Sequence, residues 1–139
     1  MTVGSAFDIE RHTFTPADGI PAPVAPYAHA VRAGPLLFVT GQLPLDPATG
    51  DVVGTAVPAQ TDAVIGNLVR VLELCGTTLA NVVQTRAYLT SMDLYEDFNR
   101  AYARHFGAGL PARTCVAVGG LARGALVEID AVAVLANGA

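Results

Sequence analysis

Apolar positions recur along the chain with two periods, and the change from one to the other marks out the elements. Residues 59–75 set Val64, Ile65, Leu68, Val71, Leu72 and Cys75 at helical spacing, with Gly76 behind them as a C-terminal stop. One face of this predicted helix is apolar and should lie on a sheet. Residues 82–89 are rich in β-branched and aromatic types and read as a strand. Asp93 is placed to cap a second helix, whose stripe is Leu94, Phe98, Ala101, Tyr102 and His105 and which Gly107 and Gly109 end. Residues 28–33 and 36–41 read as strands joined by the turn pair Gly34-Pro35. Residues 112–118 and 126–134 read as two more, separated by Gly119-Gly120 and Gly124. A further turn is expected at Asp46-Pro47-Ala48-Thr49-Gly50. Residues 16–26, rich in Pro, Ala and Gly, form an irregular lead-in, and residues 9–15 are a candidate edge strand ahead of it. The order of strands, helix, strand, helix, strands predicts an α+β sandwich with the helices layered on one face of a sheet.

Composition changes this picture mainly at the surface. A chain of 139 residues is the size of one domain, so residues 1–139 are read as a single unit with 1–26 as its lead-in. Hydrophobic residues make up 52% and charged ones only 14%. That is more apolar surface than a small monomer hides, which predicts a homo-oligomer. The net charge is -4, and the 8 basic residues are all arginines scattered singly, which counts against a nucleic-acid partner. Cys75 and Cys115 lack the C-x-x-C spacing, so neither a zinc site nor a redox motif is expected. The start of the chain has no basic and then apolar leader, and no apolar run approaches the ~18 residues that cross a bilayer. A reduced, cytoplasmic protein without a membrane partner is the expectation.

Candidate chemistry centres on Arg113, in Pro111-Ala112-Arg113-Thr114-Cys115-Val116. An arginine in an apolar strand needs acceptors. Spacing alone leaves two readings open: an internal ion pair with Glu128 or Asp130, or a planar fork presented to a substrate carboxylate. Period-two alternation puts Arg113 and Cys115 on one face of their strand, and Glu128 and Asp130 on one face of theirs. Glu128 sits among apolar neighbours, where burial would raise its pKa towards the range useful for proton transfer; a carboxylate at an open strand edge is the alternative. Tyr27 follows the lead-in and has a hydroxyl that can reach into a cleft, although packing is the commoner fate of such a residue. His29 has no neighbouring nucleophile or second ligand in sequence, and Cys115 reads as a small thiol lining a pocket. The run from Gly119 to Gly124 matches no phosphate-binding pattern and is read as a turn.

Taken together, these motifs resemble the RidA, or YjgF, family of reactive-intermediate deaminases over residues 26–134. The carriers are Ala25-Pro26-Tyr27, Phe38-Val39-Thr40-Gly41-Gln42-Leu43-Pro44, Asp46-Pro47 with Thr49-Gly50, Gln60, Asn67-Leu68, Asn99 with Tyr102, the Arg113 motif and Val127-Glu128-Ile129-Asp130-Ala131. The resemblance implies a chorismate-mutase-like α+β subunit, a mixed sheet with two helices on one face, assembled as a homotrimer with active sites in clefts between subunits. It implies hydrolysis of 2-aminoacrylate and related imines or enamines to a 2-oxo acid and ammonia, without metal or organic cofactor. By the same resemblance Arg113 binds the carboxylate, and Glu128 positions or activates water. Tyr27 lines the pocket and orients substrate, the backbone at Cys115 touches the bound acid, and Gly41 and Gln42 belong to the strand and loop beside it. The longer lead-in, Ala122 in place of a common proline, and Gly119-Gly120 in place of larger residues depart from the usual pattern and bear on substrate size. Two other readings are therefore carried alongside: a dedicated enzyme acting on a larger imine in a specialised or catabolic pathway, and a non-catalytic trimer that captures small carboxylates for regulation. Ribonuclease activity, attributed to some relatives, fits the acidic composition poorly.

Overall fold

The computed structural model describes residues 8–107 and 109–135. Six strands make one mixed sheet: β1 (Ile9–His12), β2 (Ala30–Ala33), β3 (Leu36–Gln42), β4 (Val82–Leu89), β5 (Ala112–Ala117) and β6 (Val127–Val134). Their order across the sheet is β1-β2-β3-β6-β4-β5. β5 runs parallel to β4 and every other pairing is antiparallel. Two helices, α1 (Val57–Leu74) and α2 (Tyr95–Phe106), cover one face. The α+β class and the single helical layer expected from the periodicity are both present.

The core lies between that face and the helices. Leu37, Val39, Ala87, Leu89, Val127, Ile129, Ala131 and Ala133 point inward from the sheet, and Val64, Ile65, Leu68, Val71 and Leu72 of α1 meet them with Phe98, Tyr102 and Phe106 of α2. β6 alternates buried and half-buried positions almost to its end, which is the period-two pattern of a strand with one face on a core.

Local differences from the sequence reading each have a cause. The edge strand stops at His12 because the Phe14 amide donates to Nδ1 of buried His29 rather than to a strand partner. α1 starts two residues early, since Pro58 needs no amide partner in the first turn. Gly76 adopts the left-handed backbone (φ +84°) just past the helix end, as expected. Asp93 is not the cap of the second helix. The Ser91 hydroxyl accepts the Asp93 amide at 3.1 Å, and a short turn, Met92–Leu94, leads into α2. Asp93 instead contributes negative charge near the helix start, where the dipole favours it.

Two amide side chains of α1 brace the loops at one end of the sheet. Asn67 Nδ2 donates to the carbonyls of Leu43 and Leu45, both at 3.0 Å. Gln60 donates to the Gly54 carbonyl at 3.2 Å and accepts the Leu126 amide at 2.9 Å. These bonds hold the segment after β3 and the entry to β6 against one helix, and so set the positions of Gly41, Gln42 and Glu128. Replacing Asn67 by alanine strands two carbonyls, and a loss of about 2 to 4 kcal/mol in urea unfolding is expected.

Candidate active site

Among the described residues, two half-buried charged side chains, Glu128 and Arg113, have no ion-pair partner, and they lie in two places. The first is the end of the sheet where β3 meets β6. Their register slips between Val39 and Gln42, and the slack brings the Gly41 backbone against the Glu128 side chain. A Cβ built on Gly41 would lie 2.8 Å from Glu128 Cδ and 3.2 Å from Cγ, so the position admits no side chain while Glu128 stays in place. Glu128 is half-buried, and among the described residues it has neither a cation nor a hydrogen-bond donor. Burial raises its pKa, and the charge of Asp130 adds to the rise. Asp130 is itself satisfied: Arg86 Nε donates to its two oxygens at 2.9 and 3.2 Å, and the Tyr88 hydroxyl donates at 3.0 Å.

Tyr27, His29, Thr40, Gly41 and Gln42 line one small cavity at this end. His29 is 3% exposed. Its Nδ1 accepts the Phe14 amide at 2.9 Å, which leaves the proton on Nε2 to meet the Pro21 carbonyl at 3.3 Å. Burial lowers its pKa, and both nitrogens are committed to the backbone of the lead-in. His29 is thus a strut for Tyr27, whose ring meets its own edge-on at 5.8 Å. The Tyr27 hydroxyl accepts the Val24 amide at 3.2 Å. Gln42 is buried, with its amide nitrogen spent on the Thr40 carbonyl at 3.0 Å.

The second place is the outer strand β5. Arg113 stands in register with Thr85, which is fully buried against the helices, so Arg113 projects to the helix side. There α2 presents Tyr95, Phe98 and Tyr102, residues i, i+3 and i+7, on one face. The guanidinium carbon lies 5.6, 5.5 and 4.9 Å from their ring centroids, within range of attraction by the ring quadrupoles. Nη2 donates to the Tyr95 hydroxyl at 3.1 Å. Tyr102 is fixed from below by a 2.7 Å hydroxyl pair with Thr85. Arg113 opens on a cleft of about 300 Å³ walled by Asn99, Tyr102, Ala103, Leu110 and Pro111. Among the described residues, the Asn99 Oδ1 in that wall is buried without a hydrogen-bond partner. Cys115 shares the Arg113 face, and burial pushes its thiol pKa up while the Arg113 charge opposes the rise.

The structure therefore decides one question that spacing left open. Arg113 pairs with neither Glu128 nor Asp130. Glu128 and Asp130 are in register with Tyr88 and Arg86, whereas their neighbours Val127 and Ile129 are buried under the helices. Arg113 and Cys115 thus lie on the helix side of the sheet, and Glu128 and Asp130 on the other. Tyr27, Gly41 and Gln42 line one cavity, and Gly41 also meets Glu128; Arg113 and Cys115 stand on the other side of the sheet from Glu128 within one chain. Tyr95 was missed by the sequence reading, which gave Leu94 its place in the stripe. The i, i+3, i+7 spacing of the three aromatics was the available signal.

These features define a class, an α+β protein of one mixed sheet and one helical layer with an arginine that, among the described residues, rests on an aromatic bed without a carboxylate partner. The profile of the family described as Endoribonuclease L-PSP matches residues 19–135, and the chain belongs to that family, the RidA, YjgF or RutC family. A RutC family protein of Pyrococcus horikoshii is 39% identical over 116 residues, covering 84% of this chain and 92% of that protein. The structure of the YjgF gene product of E. coli is similar with a TM-score of 0.82 at 27% identity, over 90% of this chain and 98% of that one. E. coli TdcF with bound serine is similar with a TM-score of 0.84 at 25% identity, over 91% of this chain and all (100%) of that one. No helix among the described residues is long and apolar enough to cross a membrane.

Two measurements test the packing of the Glu128 end. Gly41→Ala should cost about 1 to 3 kcal/mol in urea unfolding, and most of that loss should disappear when Glu128→Ala is added, because the two side chains compete for one space. Since burial lifts the Glu128 pKa above its ordinary 4.5, the folded chain holds that proton to higher pH than the unfolded chain does. The resulting stability is complete below pH 4.5 and is lost as pH rises through the folded value. Glu128→Gln should abolish that slope and leave the variant more stable than the parent at neutral pH.

Proposed function

We propose that the protein is a cofactor-independent hydrolytic deaminase converting 2-imino and 2-enamino acids of the 2-aminoacrylate type to 2-oxo acids and ammonia. The observation that carries this reading is the Arg113 guanidinium, which among the described residues has three aromatic rings and one neutral hydroxyl around it but no carboxylate of its own. Such a cation is held ready for an anion brought from outside. That E. coli TdcF binds serine, a small acid with nitrogen on the carbon next to its carboxylate, is consistent with this.

A substrate gripped by Arg113 needs a base, and the Glu128 of the same chain is on the other side of the sheet. The site is completed by a second copy, with Arg113 and Cys115 of one subunit facing Tyr27, Gly41, Gln42 and Glu128 of the next. The assembly is a homotrimer. Leu36, Phe38, Val132 and Val134 support it, because they form an apolar band on the sheet face that the helices leave uncovered, with Phe38 45% exposed.

In the reaction, water attacks C2 of the protonated imine as Glu128 takes its proton. Glu128 returns that proton to the carbinolamine nitrogen, the C–N bond breaks, and the C2 hydroxyl gives its proton back to Glu128 as it becomes the carbonyl, giving ammonia and the 2-oxo acid. An enamine is first protonated at C3. The imine carbon is electrophilic without help, so holding it beside an oriented water is most of the task.

A larger imine substrate is a second reading. The cleft beside Arg113 has apolar walls in Ala103, Leu110 and Pro111, and a Cβ at Gly119 or Gly120 would meet nothing within 4 Å. An RNA substrate is disfavoured, because the chain has no lysine and four of its arginines, Arg70, Arg86, Arg100 and Arg104, are already paired with carboxylates. The two free thiols, Cys75 and Cys115, suit a reducing cytoplasm.

The test supplies the imine from an amino-acid oxidase and follows its loss. The protein should accelerate that loss, and Arg113→Ala should lower kcat/KM by at least about a hundredfold, the equivalent of losing a charge-assisted bidentate contact. Turnover of a bulky imine with none of 2-iminobutanoate would select the second reading. Carboxylate binding that depends on Arg113, with no imine turned over, would make the protein a non-catalytic sensor.

A further inference from the structure

Arg113 has a companion that the proposed chemistry does not use. The Tyr95 hydroxyl accepts Nη2 of Arg113 at 3.1 Å, in a half-buried setting. The ring of Tyr95 also faces the guanidinium, 5.6 Å from Cζ to centroid. Phe98 and Tyr102 supply the same ring attraction, but neither can fix rotation of the guanidinium in its own plane. Phe98 has no hydroxyl, and that of Tyr102 is engaged with Thr85 beneath the bed. Among the described residues, the only hydrogen bond Arg113 makes through its side chain is the one to Tyr95. A bidentate grip on a carboxylate needs two coplanar N–H groups aimed in parallel, so what fixes the plane and its rotation decides how much order must be imposed at binding.

Resting on the reading of Arg113 as a carboxylate clamp, we infer that Tyr95 is the positioning residue of that clamp. Its oxygen anchors one terminal nitrogen and so orients the remaining N–H groups towards the anion. The Tyr95 O–H proton has no acceptor among the described residues and is left for the incoming carboxylate. Tyr95 begins α2, directly after the turn that Ser91 caps, so its backbone is anchored independently of the cleft. The effect belongs to binding and not to the bond-breaking step, because Tyr95 touches the clamp and not the C2 carbon.

Tyr95→Phe keeps the ring and removes the hydroxyl. Calorimetry with 2-oxobutanoate, a carboxylate that cannot be deaminated, separates the clamp from catalysis. Dissociation constants would be measured for the wild type, Tyr95→Phe and Arg113→Ala, with KM and kcat for the imine and the thermal midpoint of each. The expected result is a Kd and a KM raised about three- to tenfold in Tyr95→Phe, as for a lost hydrogen bond to a charged group. Its kcat should stay within about twofold of wild type and its thermal midpoint should be unchanged. Wild-type binding by Tyr95→Phe, when Arg113→Ala has lost it, overturns the role of Tyr95 and leaves the deaminase reading standing. A fall of kcat and thermal midpoint together marks Tyr95 as structural and also overturns the inference. Undiminished binding by Arg113→Ala overturns the clamp and, with it, the role given to Tyr95.

Discussion

Side chains on a strand must alternate between two faces, and in this sheet that alternation separates the chemistry. β6 gives every other residue to the core, so Val127, Ile129, Ala131 and Ala133 are buried under the helices while Glu128 and Asp130 face away. β5 lies in parallel register beside β4 and sends Arg113 and Cys115 to the helix side. A slip of one residue in the pairing of β6 would bring a carboxylate into the core, and a slip of β5 would turn Arg113 away from the aromatic rings of α2. The hydrophobic core thus fixes the location of the ionic groups and sets Arg113 and Glu128 on opposite faces of one sheet. The uncovered apolar face and the separation of Arg113 from Glu128 are two results of one geometric rule.

Electrostatics sharpens the division. Asp130 is neutralised where it stands, by Arg86 and the Tyr88 hydroxyl. Among the described residues, Arg113 and Glu128 are left without countercharges, and each is kept there by different physics. Arg113 rests on ring quadrupoles, which hold a cation without spending its donors on a carboxylate. Glu128 is confined by the Gly41 backbone in a place that disfavours its charged form. Groups that would be costly to leave unpaired in a structural core are the ones expected where a ligand supplies the missing partner.

Local periodicity made much of the fold legible. β4 occupies residues 82–89 as read, and α1 and β6 differ by one or two residues at their ends. The errors are short-range contests that pattern does not record. Ser91 takes the capping role expected of Asp93 because a single turn of tighter helix intervenes, and β1 is cut short by a bond to His29, which is 15 residues away. For the site, alternation within a strand correctly paired Arg113 with Cys115 and Glu128 with Asp130. Which face each pair occupies depends on register between strands far apart in sequence, and this was not readable from spacing. Tyr95 was hidden for a related reason, since it lies one step past Leu94, the first residue of the expected stripe, and its value depends on an arginine that arrives 18 residues later.

The place of each strand in the sheet has a mechanical consequence. β6, which carries Glu128, is bonded on both sides, by β3 and β4. β5, which carries Arg113, is bonded on one side only and has an open outer edge. Amide exchange is slowest in strands enclosed on both sides and fastest at edges. On the function proposed above, the proton-handling half of the site is therefore built on stiff ground and the anion-gripping half on compliant ground, so adaptation to carboxylates of different shape falls to the strand that can yield.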